Sequence, residues 1–325
     1  MLVIYHSRGA YQARLAAALH VGLLPAVAPP DPEGLEAALH RLGGPEALNA
    51  EGLWAAGTDG AGRRVFALGR ASRPDVTCRA FRSLAGLAAI DTAGFRLHNV
   101  GPAVAWDDLR VAVLRLAGLH GAARNAVLSE LRKAWSEALR VVQTGAQEAC
   151  PPHRAAPAPE DCTRRVIYYC YGSAHSSVTA ANIHIGHLPV ERRPSPFEIL
   201  HQPLFDRAES NQIGHFRLMG TDRWGCEVYV LGLAGGKGPM QRAMTDFLAA
   251  SGAHVGGFRF EPTLSHAGVL LRIGGYTSRG LGWVALGRPL CAVGVWLKYR
   301  LFAEHVRQVL DALALTQNPV SDIIG

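Results

Sequence analysis

The chain has 325 residues, 49% of them hydrophobic and 18% charged, with a formal net charge of +7; this length suggests two domains with ordinary globular cores. The basic excess is even, with 16 Lys and Arg against 13 Asp and Glu up to position 150 and 17 against 13 beyond it. Nucleic-acid binding needs a clustered basic footprint, so no nucleic-acid partner is expected.

The first predicted element pair is a strand followed by a helix within "MLVIYHSRGAYQARLAAALHVGLLP", residues 1–25. The chain opens on that strand with no basic leader, and its closest approach to a spanning apolar run, 280–296, is broken by Arg288-Pro289. No membrane partner and a cytoplasmic location are therefore expected. Further on come "GTDGAGRRVFALG" at 57–69, "GFR" at 94–96 and a helix at 121–142. The stretch "TGAQEACPPHRAAPAPEDCTRR", 144–165, is rich in Pro and Ala without apolar periodicity and reads as an extended linker.

Beyond it, "RVIYYCYGSAHSSVTAANIHIGHLP" (165–189) predicts a strand at 166–171 and a helix at 175–187. A short helix follows near 196–204. Strands at 215–219 and 227–231, joined by the Thr221–Gly225 turn, form a hairpin. Helix 239–251, strand 257–261, helix 265–279, an apolar strand at 289–295 and helix 297–314 complete the order. Strands alternating with amphipathic helices imply a mainly parallel sheet covered on both faces.

The two halves repeat. The opening segments align without a gap at an offset of 164, matching Tyr5 with Tyr169, Ala10 with Ala174, His20 with His184 and Pro25 with Pro189. "GTDGAGRRVFALG" lies against "GTDRWGCEVYVLG" (220–232) at an offset of 163, with seven of thirteen residues identical, and "GFR" recurs at 257–259. Three blocks in order indicate a tandem duplication whose period is too long for a solenoid. The expected fold class is α/β: two tandem copies of a three-layer domain, each with a mainly parallel sheet and one β-hairpin. The divergent first copy spans 1–143, the linker 144–164 and the second copy 165–325. The first copy follows the order of the second to about residue 118, then runs into helix 121–142 with no counterpart to the last strand.

Three stretches of the second copy, "YYCYGSAHSSVTAANIHIGHLP", "MGTDRWGCEVYVLG" and "LLRIGGYTSRGLGWVALGRPL", resemble an uncharacterised bacterial family, domain of unknown function 3189. The resemblance implies that the first copy is a second, divergent example that has lost the Cys, Gly and His-Ser-Ser of the loop. It implies no activity.

The loop "CYGSAHSS" lies between a strand end and a helix start, a geometry that exposes backbone N–H groups and the positive end of a helix dipole. Gly172, Ser173 and Ala174 are small enough for a ligand to approach the backbone, while His175, Ser176 and Ser177 supply polar groups. Phosphate, or a nucleotide carrying it, is the natural guest, although GxxxxGK[ST] is absent. The competing reading is a Ser-capped helix start. Cys170 and His175, five apart, form a candidate catalytic thiolate–imidazolium pair, against the reading of a buried strand-end cysteine.

A second glycine-rich loop, "GLAGGKGP" at 232–239, carries Lys237, which would face the first loop if the strand at 227–231 neighbours the first strand. His20 and His184 read as hydrogen-bonded packing residues, and Asp59 and Asp222 as turn formers. Tyr168 and Tyr169 read as core and Tyr171 as a loop-edge aromatic; Arg272 and Arg279 share a helix face and read as solvated. The six cysteines show no CxxC spacing, so no metal is expected, and Cys150 and Cys162 could pair only in an oxidising setting. No motif names a cofactor.

Three functions follow. The first is a phosphate- or nucleotide-binding protein, including a transferase or hydrolase. The second is a non-enzymatic regulatory or scaffold module, with the two domains docked on each other and presenting a surface to a partner. The third is a thiol enzyme using Cys170.

Overall fold

The computed structural model describes residues 1–44, 52–101, 106–145, 164–263 and 268–317, apart from the side chains of 106–109, 112, 237, 279, 280, 316 and 317. Cys150, Cys162 and nearly all of the linker lie outside this set.

The first sheet contains β1 (Leu2–His6), β2 (Trp54–Thr58), β3 (Arg64–Leu68) and β4 (Phe95–Asn99) in the order β2-β3-β1-β4. The second contains β5 (Arg165–Cys170), β6 (Arg217–Thr221), β7 (Glu227–Gly232) and β8 (Phe258–Pro262) in the matching order β6-β7-β5-β8. In each sheet the central strand is parallel to both neighbours, and only the hairpin strand is antiparallel. Every residue of β1 and β5 is buried. A parallel strand buried on both sides needs helices over both faces, which gives the three-layer α/β arrangement.

The strand registers correct one feature of the repeat. Leu2 pairs with Arg64 as Arg165 pairs with Glu227, so the central strands correspond at an offset of 163. Tyr5 therefore matches Tyr168, not Tyr169, and Ser7 matches Cys170. Helices α1 (Gln12–His20) and α6 (Ser176–His184) correspond at an offset of 164. The extra residue of the second copy thus lies in the loop between them.

In the first copy, α2 (Pro32–Arg41), α3 (Pro74–Leu87), α4 (Trp106–Leu116) and α5 (His120–Thr144) complete the set; in the second, α7 (Pro196–His201), α8 (Lys237–Ala250), α9 (Val269–Gly275) and α10 (Val284–Gln317) do so. The apolar strand expected at 289–295 does not exist. Those residues belong to α10, with Pro289 inside the helix near its start, where the ring removes one i→i−4 hydrogen bond that the rest of this long helix outweighs. Cys291, Val295, Tyr299, Phe302, Val306 and Val309 are buried at helical spacing. With that strand gone, α5 is the counterpart of α10, since each packs on the first helix of its copy. The helix expected at 265–279 is α9 followed by a π-helical turn, Tyr276–Gly280.

The compact units do not follow the repeat. One comprises Met1–Ala158 with Ala234–Val255, the other Pro159–Leu233 with Gly256–Gly325. Helix α8, in sequence part of the second copy, thus packs within the first unit. Its Phe247 ring lies edge-on to Phe81 of α3 at 5.3 Å and to Phe95 of β4 at 5.0 Å. Asp246 accepts the Leu53 amide at 2.7 Å, and the Ala250 carbonyl accepts from Arg64.

One polar device occurs in both units. The Tyr168 hydroxyl lies 2.8 Å from His184 Nδ1, and His184 Nε2 lies 3.1 Å from Asp222; Tyr5, His20 and Asp59 repeat this at 2.8 and 3.0 Å. An ionised carboxylate only accepts, so Nε2 carries the proton. Burial pushes the Tyr168 hydroxyl well above its usual range and Tyr5 up to about 12. Each phenol therefore keeps its proton and donates to Nδ1, so the ring is satisfied at both nitrogens. The other oxygen of Asp222 accepts the Trp224 and Cys226 amides, as that of Asp59 accepts those of Ala61 and Arg63. The predicted packing histidines and turn aspartates are thus parts of a single tether joining the central strand, the first helix and the hairpin turn.

Burial alone would raise the Asp59 carboxyl, but the backbone and side-chain hydrogen bonds from Arg63 and the Ala61 amide outweigh it and hold the group at about 2, below its usual 3.8. Asp222 is lowered in the same way, burial being opposed by bonds from His184, Cys226 and Trp224. A depressed carboxyl contributes stability that is complete above the unfolded value and lost as pH falls through the folded one. The wild-type melting temperature should therefore fall from about pH 4 toward pH 2, and Asp59→Asn should flatten that fall. Asp222→Ala strips a buried ring and two amides of their acceptor and should cost about 3–5 kcal/mol in urea unfolding.

Candidate functional site

The expected loop is Tyr171–His175, between Cys170 at the end of β5 and Ser176 at the start of α6. Ser173 adopts a left-handed backbone with φ of 49°. The loop crosses directly over the end of β7, where a Cβ on Gly232 would stand 3.0 Å from the Gly172 carbonyl carbon. Gly69 makes the same close approach to Ala10 in the first copy, at 2.6 Å. That contact explains why "LG" closes the repeated block. Arg217 of β6 donates to the Ser173 carbonyl at 3.0 Å and so sets a guanidinium beside the loop.

The first turn of α6 has no side-chain cap, and His175 stands at the N-cap position. The predicted Ser-capped helix start is not what forms. In the first copy Ser7 does this work from the strand end, its Oγ accepting the Ala13 amide at 3.1 Å. Cys170 holds the matching position, and its sulfur instead lies 3.2 Å from both the Ser173 amide and the Ser177 hydroxyl. Ser176 and Ser177 are themselves buried. Ser176 Oγ lies 3.3 Å from the Thr263 hydroxyl, which donates to the Tyr169 carbonyl. Both serine hydroxyls thus turn inward, and the loop offers mainly backbone to its outer side. Gly172 leaves open space where a side chain would be. Tyr171 is exposed at the loop edge, whereas Tyr168 and Tyr169 are core.

His175 belongs to a constellation that sequence reasoning missed. Its Nε2 lies 2.9 Å from Asp206 Oδ1, and Ser278 donates to Asp206 Oδ2 at 2.7 Å. The Asp206 side chain is completely buried, and its amide donates to the Ala174 carbonyl at 2.9 Å. The carboxylate requires the proton on Nε2, which leaves Nδ1 as the ring's variable nitrogen. The ring edge meets Phe205 at a centroid distance of 5.2 Å and faces Gly275. Asp206 had no signal in the sequence. Ser278 lies in one of the stretches carrying the family resemblance, with no motif of its own.

The predicted Cys170–His175 pair is not a hydrogen-bonded couple, since the sulfur is held by Ser173 and Ser177 and the imidazole by Asp206. Lys237 opens α8, which packs in the other unit, and its side chain lies outside the described residues. Arg272 is exposed on α9, and the Arg279 side chain is not described. Among the described residues no cluster of three or more His, Cys, Asp or Glu could hold a metal ion.

A family model described as "Protein of unknown function (DUF3189)" matches the chain twice, at residues 2–145 and 165–310. No curated protein and no solved structure gives a match.

A buried sulfur with two hydrogen-bond partners should react slowly. Iodoacetamide should modify Cys170 more slowly in the native protein than in the urea-unfolded chain, as measured by peptide mass spectrometry. A faster native rate would revive the thiol-enzyme reading.

Proposed function

The chain belongs to the DUF3189 family, whose domain it carries twice, and from that premise we propose that the second copy binds a small phosphate-type anion at the loop Tyr171–Ser177. The carrying observation is the uncapped first turn of α6, beside a histidine that a buried aspartate holds in place. Amides at a helix N-terminus carry partial positive charge and favour phosphate oxygens. Fixed by Asp206 at Nε2, His175 gains a second donor at Nδ1 when protonated, and the buried carboxylate offsets the ring's charge. That ring can hold a proton near a bound phosphate, as a transferase or hydrolase would require. In the first copy Ser7 occupies one of the equivalent amides, and that copy serves as a structural partner.

A second reading, a regulatory or scaffold module, is favoured by the inward-facing hydroxyls of Ser176 and Ser177, because a loop so satisfied has less need of a ligand.

Thermal unfolding separates the two. Phosphate, or a nucleotide carrying it, at about 100 times its Kd should stabilise the protein by about 2.7 kcal/mol. His175→Ala should remove most of that gain, measured against the variant's own unliganded midpoint, which falls because the buried Asp206 carboxylate loses a donor. No stabilisation by phosphate, sulfate or a nucleotide would leave the module reading in possession.

A further inference from the structure

The helices α9 and α10 carry large apolar side chains on an outer face as well as on the face that packs in the core. Where they meet, the contact is made of glycine: a Cβ on Gly274 would stand 2.8 Å from the Cys291 amide nitrogen, and one on Gly294 would stand 2.6 Å from that of Leu271. Gly287 is similarly closed by Ser278. Backbones this close admit only small residues at the crossing itself. Further large apolar side chains stand outward. Val269 and Ile273 on α9 and Tyr276 at the start of the π-helical turn recur at helical spacing and are 74%, 51% and 66% exposed. Trp283 and Leu286, at the turn into α10, are 62% and 61% exposed, and Val293, Leu297 and Leu301 continue the stripe. Small residues between helices and large apolar ones outside are what a lipid environment selects. Among the described residues of α5, the counterpart helix, no large hydrophobic side chain is exposed.

Charge decides what covers this face. From Gly268 to Ala303 the sequence has no Asp or Glu but five Lys and Arg, of which Arg272, Lys298 and Arg300 are exposed on the helices described. A second copy docking through a two-fold axis would set this face against itself, cation against cation, because the acid that ends the stripe, Glu304, is already bonded by Arg307 at 2.9 Å. An anionic lipid surface answers both properties, since its acyl boundary accepts the apolar stripe and its headgroups the arginines and lysine. Exposed Trp and Tyr suit the headgroup boundary. Among the described residues no helix is long and apolar enough to cross a membrane, so the attachment is peripheral.

We propose that the α9–α10 face of the second copy is a docking surface for an anionic lipid bilayer, independent of the anion loop. This revises the expectation of no membrane partner, which rested on the absence of a basic leader and of an unbroken apolar run.

Flotation of the full chain tests it, with vesicles of phosphatidylcholine alone and of equal parts phosphatidylcholine and phosphatidylglycerol. The chain should float with the anionic vesicles at low salt, be released as salt rises, and stay behind with the neutral ones. Trp283→Asp combined with Leu286→Asp should abolish flotation, and Arg300→Glu should weaken vesicle affinity about fivefold or more. All three positions are exposed, so urea unfolding of the variants should track the wild type. Failure to float with anionic vesicles at low salt overturns the proposal. So does equal flotation with neutral vesicles, or flotation unchanged by the paired aspartates. A dimer that the paired aspartates convert to monomer, without vesicle binding, overturns it in favour of a second copy.

Discussion

A histidine gripped at both ring nitrogens is the interaction on which each copy of this domain depends. The ring sits at the end of the first helix, its Nδ1 partner on the central strand and its Nε2 partner in the hairpin turn. Three elements distant in sequence are thereby fixed by groups that have no other way to be satisfied in a dry interior. The aspartate works twice, accepting from the ring with one oxygen and closing its own turn with the other. Divergence has left this tether unchanged in both copies.

With that frame held constant, the difference between the copies concentrates in one loop. The second copy has one more residue there and a sulfur where the first has a hydroxyl. The shorter loop lets Ser7 satisfy an amide of its own helix. The longer one draws Cys170 toward Ser173 and Ser177, leaves the first turn of α6 without a side-chain cap, and sets His175 against Asp206. A site differs here from a turn by a small change in who accepts which N–H.

Much of this was legible in the sequence because it is local or repeated. The strand–loop–helix, the antiparallel hairpin and the tandem copies all follow from composition, turn chemistry and internal similarity, and the roles of His184 and Asp222 followed from their presence in both halves. The failures share a cause as well. A short apolar run such as 289–295 reads equally as strand or helix, and only its buried spacing with Tyr299 and Phe302 decides. Tyr5 was matched to Tyr169 because adjacent tyrosines hide a one-residue slip that hydrogen-bond register exposes. Asp206 and Ser278 meet His175 through long-range packing, which leaves no trace in spacing. The outward-facing stripe of α9 and α10 was invisible because a hydrophobic residue in a helix looks the same whichever way it points.

Helix α8 lies between β7 and β8 in the chain yet spends its apolar side chains on α3 and β4. The duplication has therefore ceased to be modular. A recombination breakpoint in the linker would give one descendant a helix with no seat and the other a seat with no helix. Cutting the chain in the linker would therefore part α8 from the Phe81 and Phe95 rings on which its Phe247 rests.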